Sequence, residues 1–164
     1  MANSEKQLKD LVIPLSRYPH MPYWATLKEA VVQLTLAQKD LPLDERRRTV
    51  LVFDEAYRLK GILTQRNILR GIEPRFSEKL AEGYHLDWQD LVNKPSQEQL
   101  AKPISDFMSP LQATVKSDGG LLQASHIMIS QGLGLLPVMD GEKVAGVVRL
   151  QDVFMELGLS ILGA

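Results

Sequence analysis

TVLVFDEAYRLKGILTQRNIL, residues 49–69, and LLPVMDGEKVAGVVRLQDVF, residues 135–154, are two versions of one pattern. Each has an apolar run ending in an acid, Val52-Phe53-Asp54 and Val138-Met139-Asp140. A short turn follows, then Gly-apolar-apolar, Gly61-Ile62-Leu63 and Gly146-Val147-Val148. A polar residue comes next, Thr64 or Arg149, with Asn67 or Asp152 three positions on. Strand, turn, strand and helix are the expected elements, because a run of strand residues broken by turn chemistry gives way to helical spacing. A repeated unit that cannot bury its apolar face alone packs against its twin. A cleft between two such copies is a natural place for a ligand.

The flanks extend each copy backwards. Thr26 and Glu29 have capping-box spacing, and Leu27, Ala30, Val31 and Leu34 make a helical apolar stripe. Residues 1–10 read as a polar lead-in, 16–25 as irregular chain rich in Pro and aromatics, and 38–48 as a charged loop. In the second copy Ala113-Thr114-Val115 reads as a short extended piece. A helix with Leu121, Ala124 and Met128 on one face follows, capped by Ser117 or Asp118 and ended by Gly132. Asp140-Gly141 is the strongest hairpin signal in the chain. The last helix, residues 151–162, is apolar on more than one face, which suggests a covered surface and a homodimer. The expected division is a first repeat over 1–71, a connector over 72–103 with one amphipathic helix from Ser77 to Val92, and a second repeat over 104–164.

Composition narrows the function. The 164 residues carry a net charge of −1, so a nucleic-acid surface is not the main business of the chain. Cysteine is absent, which excludes disulfides, thiolate metal sites and a cysteine nucleophile. His20, His85 and His126 lie far apart and suggest no metal centre. The polar amino terminus has no apolar core for a signal peptide, and no apolar run approaches a membrane span. A cytoplasmic, membrane-free protein is the expectation. No nucleophile–base pair, phosphate loop or dinucleotide fingerprint is visible, so no catalytic residue is assigned and no enzyme is expected. Arg46-Arg47-Arg48 stands beside Asp44 and Glu45 and reads as a solvated loop. Asp87 and Asp90 read as surface acids, and Trp24 and Trp88 as core or interface anchors.

The ordered pieces resemble tandem CBS domains, the regulatory module named after cystathionine β-synthase. Asp106-Phe107-Met108, Thr114-Val115, the Ala124 helix, Leu136-Pro137-Val138-Met139-Asp140 and Gly146 to Asp152 carry the resemblance in the second copy. In the first copy it rests on the Thr26 helix and residues 49–69. The resemblance implies an α/β (α+β) fold of two β-α-β-β-α repeats related by a pseudo-twofold axis. It also implies a cleft that takes AMP, ADP, ATP or S-adenosylmethionine, further dimerisation, and a separate effector protein.

The residue logic supports that reading. A hydroxyl just before a helix reaches phosphate, and the helix amino terminus favours anions. A carboxylate in the first turn accepts bonds from both ribose hydroxyls. Thr64 fits this pattern, while Asn67 replaces the family's acid. Asp152 keeps the acid, while Arg149 replaces the hydroxyl and offers a planar fork for phosphate or blocks the cleft. Thr114, Val115, Leu136 and Pro137 match strand edges that flank the purine in the family, and also read as ordinary core strand. Two functions stay open: a nucleotide-sensing regulatory module, and a scaffold of the same fold that binds no ligand.

Overall fold

The computed structural model describes residues 6–72, 82–83, 88–92 and 94–164. In chain order the elements are β1 (Ile13–Pro14), β2 (His20–Pro22), α1 (Leu27–Leu34), β3 (Thr49–Phe53), β4 (Leu59–Thr64) and α2 (Gln65–Ile72). Then come α3 (Trp88–Leu91), α4 (Lys94–Leu100), β5 (Ser109–Pro110), β6 (Val115–Lys116), α5 (Leu121–Gln131), β7 (Leu135–Asp140), β8 (Lys143–Arg149) and α6 (Leu150–Leu162). Each copy supplies the expected strand, helix, strand, strand, helix: β2-α1-β3-β4-α2 and β6-α5-β7-β8-α6. The fold is therefore α+β, with a four-stranded sheet for each repeat, ordered β2-β3-β4-β5 and β1-β8-β7-β6.

The compact units are drawn from the chain in an exchanged way. A central unit runs over Pro19–Leu111, and a terminal unit joins Met1–Tyr18 to Gln112–Ala164. The exchange follows from two short strands. β1 pairs antiparallel with β8, placing Pro14 opposite Gly146, and β5 pairs antiparallel with β4, placing Pro110 opposite Gly61. Each of these edge strands holds a proline, which has no N–H to extend a ladder, so each stays two residues long. The glycines are required by close approach. A Cβ on Gly61 would collide with the Ser109 carbonyl, and one on Gly146 with the Ile13 carbonyl. Protein backbone thus fills the space beside both glycines.

Residues 8–15 and 104–111 are the matching lead-ins, LKDLVIPL and ISDFMSPL. Leu8 is fully buried in the core of the terminal unit, with Ala124, Met128, Leu136, Val138 and Val148. Ile104 is fully buried in the core of the central unit, with Leu27, Ala30, Val50, Val52 and Leu63. The polar lead-in over 1–10 therefore contains a core residue. Residues 16–25, read as irregular, contain β2, which runs parallel to β3 in the register His20↔Leu51 and Met21↔Val52.

Local chemistry explains the remaining boundaries. Thr26 and Glu29 form the expected capping box, with reciprocal 3.2 Å bonds. Helix α5 is capped at Gly120 with no side-chain bond, so neither Ser117 nor Asp118 plays that part. Gly132 ends α5 at φ +65, as expected. Gly83 stands in a turn at φ +88, which rules out one continuous helix from Ser77 to Val92; most of that segment, with His85 and Asp87, lies outside the described residues. Trp24 and Trp88 are both exposed and belong to no core. The loop over 38–48 is more ordered than its charge implies. Buried Gln38 donates to the Arg47 carbonyl at 3.0 Å and accepts the Arg47 N–H, while Arg46 donates to the carbonyls of Lys39 and Leu41.

The first hairpin is held by Asp54. Its Oδ1 accepts the N–H groups of Ala56 and Arg58 at 2.9 and 2.8 Å, and its Oδ2 accepts Arg58 Nε at 3.2 Å. These bonds fix Tyr57 at φ +58, where its ring stacks on Phe53 at 4.8 Å. The Arg58 backbone N–H, helped by the Ala56 N–H and the Arg58 charge, holds the Asp54 carboxyl below its ordinary pKa despite the opposing effect of burial. A lowered folded pKa means that the contribution is complete above the ordinary carboxylate pKa of about 4 and is lost as pH falls through the folded value. Asp54→Ala is expected to lower the melting temperature at neutral pH. It is also expected to flatten the further loss on acidification from about pH 5 to 3. An acid limb of the melting curve that matches the parent's would show that Asp54 does not set it.

Candidate functional site

The two helix openings that follow β4 and β8 hold four of the sequence-predicted site residues, two in each unit. In the central unit Thr64 and Asn67 form a capping box of their own. Thr64 Oγ1 accepts the Asn67 N–H at 3.1 Å, and Asn67 Oδ1 accepts the Thr64 N–H at 2.9 Å. The Asn67 amide then donates from Nδ2 to Ser109 Oγ at 3.2 Å. Asn67 thus both starts α2 and ties down the exchanged strand β5. Both residues are half-buried, so the opening is neither sealed in the core nor free in solvent. The neutral amide offers a donor and an acceptor where a carboxylate would offer only acceptors.

In the terminal unit the same positions carry charge. Arg149 is the N-cap residue of α6 and gives it no side-chain cap bond. Its guanidinium grips Asp152 instead, Nε to Oδ2 at 2.8 Å and Nη2 to Oδ1 at 2.9 Å. Asp152 lies in the first turn of α6, where the positive end of the helix dipole favours an acid. The arginine is therefore not free: its partner is the acid expected to hold ribose.

The strand-edge candidates divide. Leu136 is fully buried and Val115 nearly so, both in the core of the terminal unit, and their side chains are committed to packing. Thr114 is half-buried and stands just before β6. Because β6 begins opposite Val138, β7 has no partner strand on that side at Pro137. The strand register makes His20 the central unit's counterpart of Thr114, since Met21 pairs with Val52 and Val115 with Val138. The His20 ring makes T-shaped contacts with Phe53 at 5.9 Å and with Tyr57 at 6.2 Å. Sequence reasoning missed His20 as a position equivalent to Thr114; alignment of VLVFD with LPVMD back to the preceding strand would have found it. Among the described residues no group of acids and histidines could hold a metal, and no helix is long and apolar enough to cross a membrane.

The family model for the CBS domain matches residues 104–158. Solved structures match over nearly the whole chain. The CBS-pair protein CBSX2 from Arabidopsis thaliana is 16% identical, with a TM-score of 0.68 over 98% of this chain and 99% of that one. Residues 104–158 thus match the CBS domain, and the chain has the fold of a CBS pair. CBSX2 in complex with AMP is 17% identical, with a TM-score of 0.65 over 95% of this chain and 98% of that one. The cytosolic domain of the Mg2+ channel MgtE in complex with ATP is 22% identical, with a TM-score of 0.64. That match covers 93% of this CBS pair and 49% of the MgtE chain. No curated protein matches the chain in sequence.

Proposed function

We propose that this CBS pair is a regulatory, non-catalytic module that binds an adenosine-containing ligand and signals to a separate effector protein. AMP, ADP, ATP and S-adenosylmethionine are the candidates. Thr64 and Asn67 at the start of α2, and Arg149 and Asp152 at the start of α6, are the polar contacts. Thr114, half-buried just before β6, and the main chain of β7 at the buried Pro137 flank the base. The module works in the cytoplasm as a homodimer through α6. One observation carries the reading: in a fold shared with AMP- and ATP-bound proteins, both helix openings keep half-exposed polar pairs at the positions where phosphate and ribose contacts are needed. Signalling requires that the ligand prefer one arrangement of the protein over another.

Saturating AMP or ATP, at about 100 times its Kd, is expected to stabilise the protein by about 2.7 kcal/mol. For a chain of this size that is a rise of roughly 5–10 °C in melting temperature. Titration calorimetry with the four ligands gives the affinity directly. An unchanged melting temperature and no heat with any of them would favour the second reading, a scaffold that binds no nucleotide. That reading draws on the self-satisfied state of both pairs, Asn67 with Ser109 and Asp152 with Arg149.

A further inference from the structure

In the central unit the groove between α1 and α2 is filled. Helix α4 lies against both of them. Its Leu100 packs on the core that holds Leu27, Ala30 and Ile68, and Gln99 donates from Nε2 to the Gly71 carbonyl at 2.7 Å. The chain then runs into its lead-in: Pro103 bridges Thr26, and Ile104 enters the core.

The terminal unit repeats this frame. Gln7 bridges Gly120 as Pro103 bridges Thr26, and Leu8 enters the core as Ile104 does. Helices α5 and α6 stand for α1 and α2, and the match of Asn67 to Asp152 makes Val153 and Glu156 the counterparts of Ile68 and Gly71. Where α4 lies in the central unit, the described residues of the terminal unit frame an open groove of about 1730 Å³. Its walls are Leu122, Ser125 and Ile129 of α5 and Glu156, Leu157 and Ser160 of α6. A seven-residue helix, about 10 Å long and about 10 Å wide, fills on the order of 800 Å³, so the groove has room for one. Counting back from the matched lead-ins puts Ser4 at the position of Leu100, and serine has no apolar body to pack there. Lys6 and Lys9 also line the groove. Lys6 is held by Glu156 at 3.3 Å, whereas Lys9 has no ion pair among the described residues. Phe154 and Ile161 lie outside the groove.

We propose that the α5–α6 groove is the docking site for a short amphipathic helix of the effector protein, seated as α4 is seated between α1 and α2. Its apolar side chain packs over Leu121 and Val153, and an acid on its rim pairs with Lys9. This gives the effector of the reading above a place to bind, and it does not require the nucleotide.

The probe is α4 itself. Residues 94–101 are placed before Lys6 in the full chain, in exchange for residues 1–5. The added Leu-Ala then precedes Lys6 as Leu100-Ala101 precedes Lys102. The short tether gives an effective concentration on the order of millimolar, enough to reveal a weak site. The graft is expected to raise the melting temperature by roughly 2–4 °C. It is also expected to slow amide exchange at Ser125, Ile129, Leu157 and Ser160 at least about tenfold. Both effects are expected to vanish when the added leucine is replaced by glutamate, or when the host carries Leu122→Glu with Ile129→Glu. Those two host residues are 84% and 74% exposed, so the host folds without them, and its own melting curve establishes this. A graft that changes neither quantity overturns the site, as does a gain that survives either replacement. Docking from outside is read with a free peptide of residues 94–103, crosslinked on its outer face to hold the helix. At millimolar concentration it is expected to shift the amides of 125–129 and 157–160 in the parent and not in the graft. No shift in the parent, or equal shifts in both, overturns docking by a partner. A dimeric parent that Leu122→Glu with Ile129→Glu makes monomeric gives the groove to a second copy and also overturns the proposal. All these measurements are made without nucleotide, so their failure leaves the ligand-binding reading standing, and a silent titration with AMP leaves the groove standing.

Discussion

Gly146→Ala is expected to unfold or strongly destabilise the terminal unit. The added methyl meets the Ile13 carbonyl and, at 2.8 Å, Val12 Cγ1. Overpacking typically costs about 1–3 kcal/mol. Here the obstruction is main chain from a paired strand, so relief requires β1 to leave β8, and the cost falls at or above the top of that range. Gly61→Ala repeats the experiment in the central unit, against the Ser109 carbonyl and Met108 Sδ at 3.1 Å. Gly120→Ala is the control, since nothing lies within 4 Å of its added Cβ. Chemical denaturation of the three variants checks this. A Gly146→Ala protein as stable as Gly120→Ala would mean that β1 does not lie on β8.

Phe154→Glu combined with Ile161→Glu is expected to halve the solution mass of the protein at micromolar concentration. Helix α6 buries Val153 and leaves a stripe at helical spacing, Leu150, Phe154, Leu157 and Ile161, exposed, with Phe154 at 70% and Ile161 at 74%. Apolar side chains of this size gain about 1.5–3 kcal/mol each when fully buried, and a contiguous patch of them marks an interaction surface. The helix carries Asp152 and Glu156 and no Lys or Arg, so it lacks the basic face of a membrane-surface helix. A second copy of the chain supplies an equally apolar, self-complementary partner. Light scattering reads the outcome. A monomeric parent, or a charged variant that stays dimeric, would remove this surface from the account.

Sequence reading recovered what is local. The β3–β4 and β7–β8 hairpins and the helices that follow them show in the change from strand to helix periodicity, in Asp140-Gly141 and in the Thr26 capping box. The lead-in at 104–111 was legible as the opening of the second copy, whereas its counterpart at 8–15 was hidden in a segment read as polar, and the strand partners of both are far away in sequence. Gly61 and Gly146 were legible as matching positions of the two copies, but that the main chain of a paired strand packs against each is seen only in the fold. The i, i+3 spacing of Arg149 and Asp152 permits a pair. Only the side-chain geometry shows that it takes both carboxylate oxygens. Gln38 lies in a segment whose charge signals solvent, and its two-bond clamp on Arg47 depends on the loop's return path.

The trade of β1 and β5 sets a timetable for synthesis. A nascent chain released from the ribosome tunnel as far as residue 111 already owns every strand of the β2-β3-β4-β5 sheet. Ile13 and Pro14 emerge before that sheet is complete and must wait for Gly146 and Val147, which follow it in the chain. Vectorial assembly therefore completes the Pro19–Leu111 unit before the unit whose segments flank it, and a gene cut between the repeats would deprive both products of an edge strand.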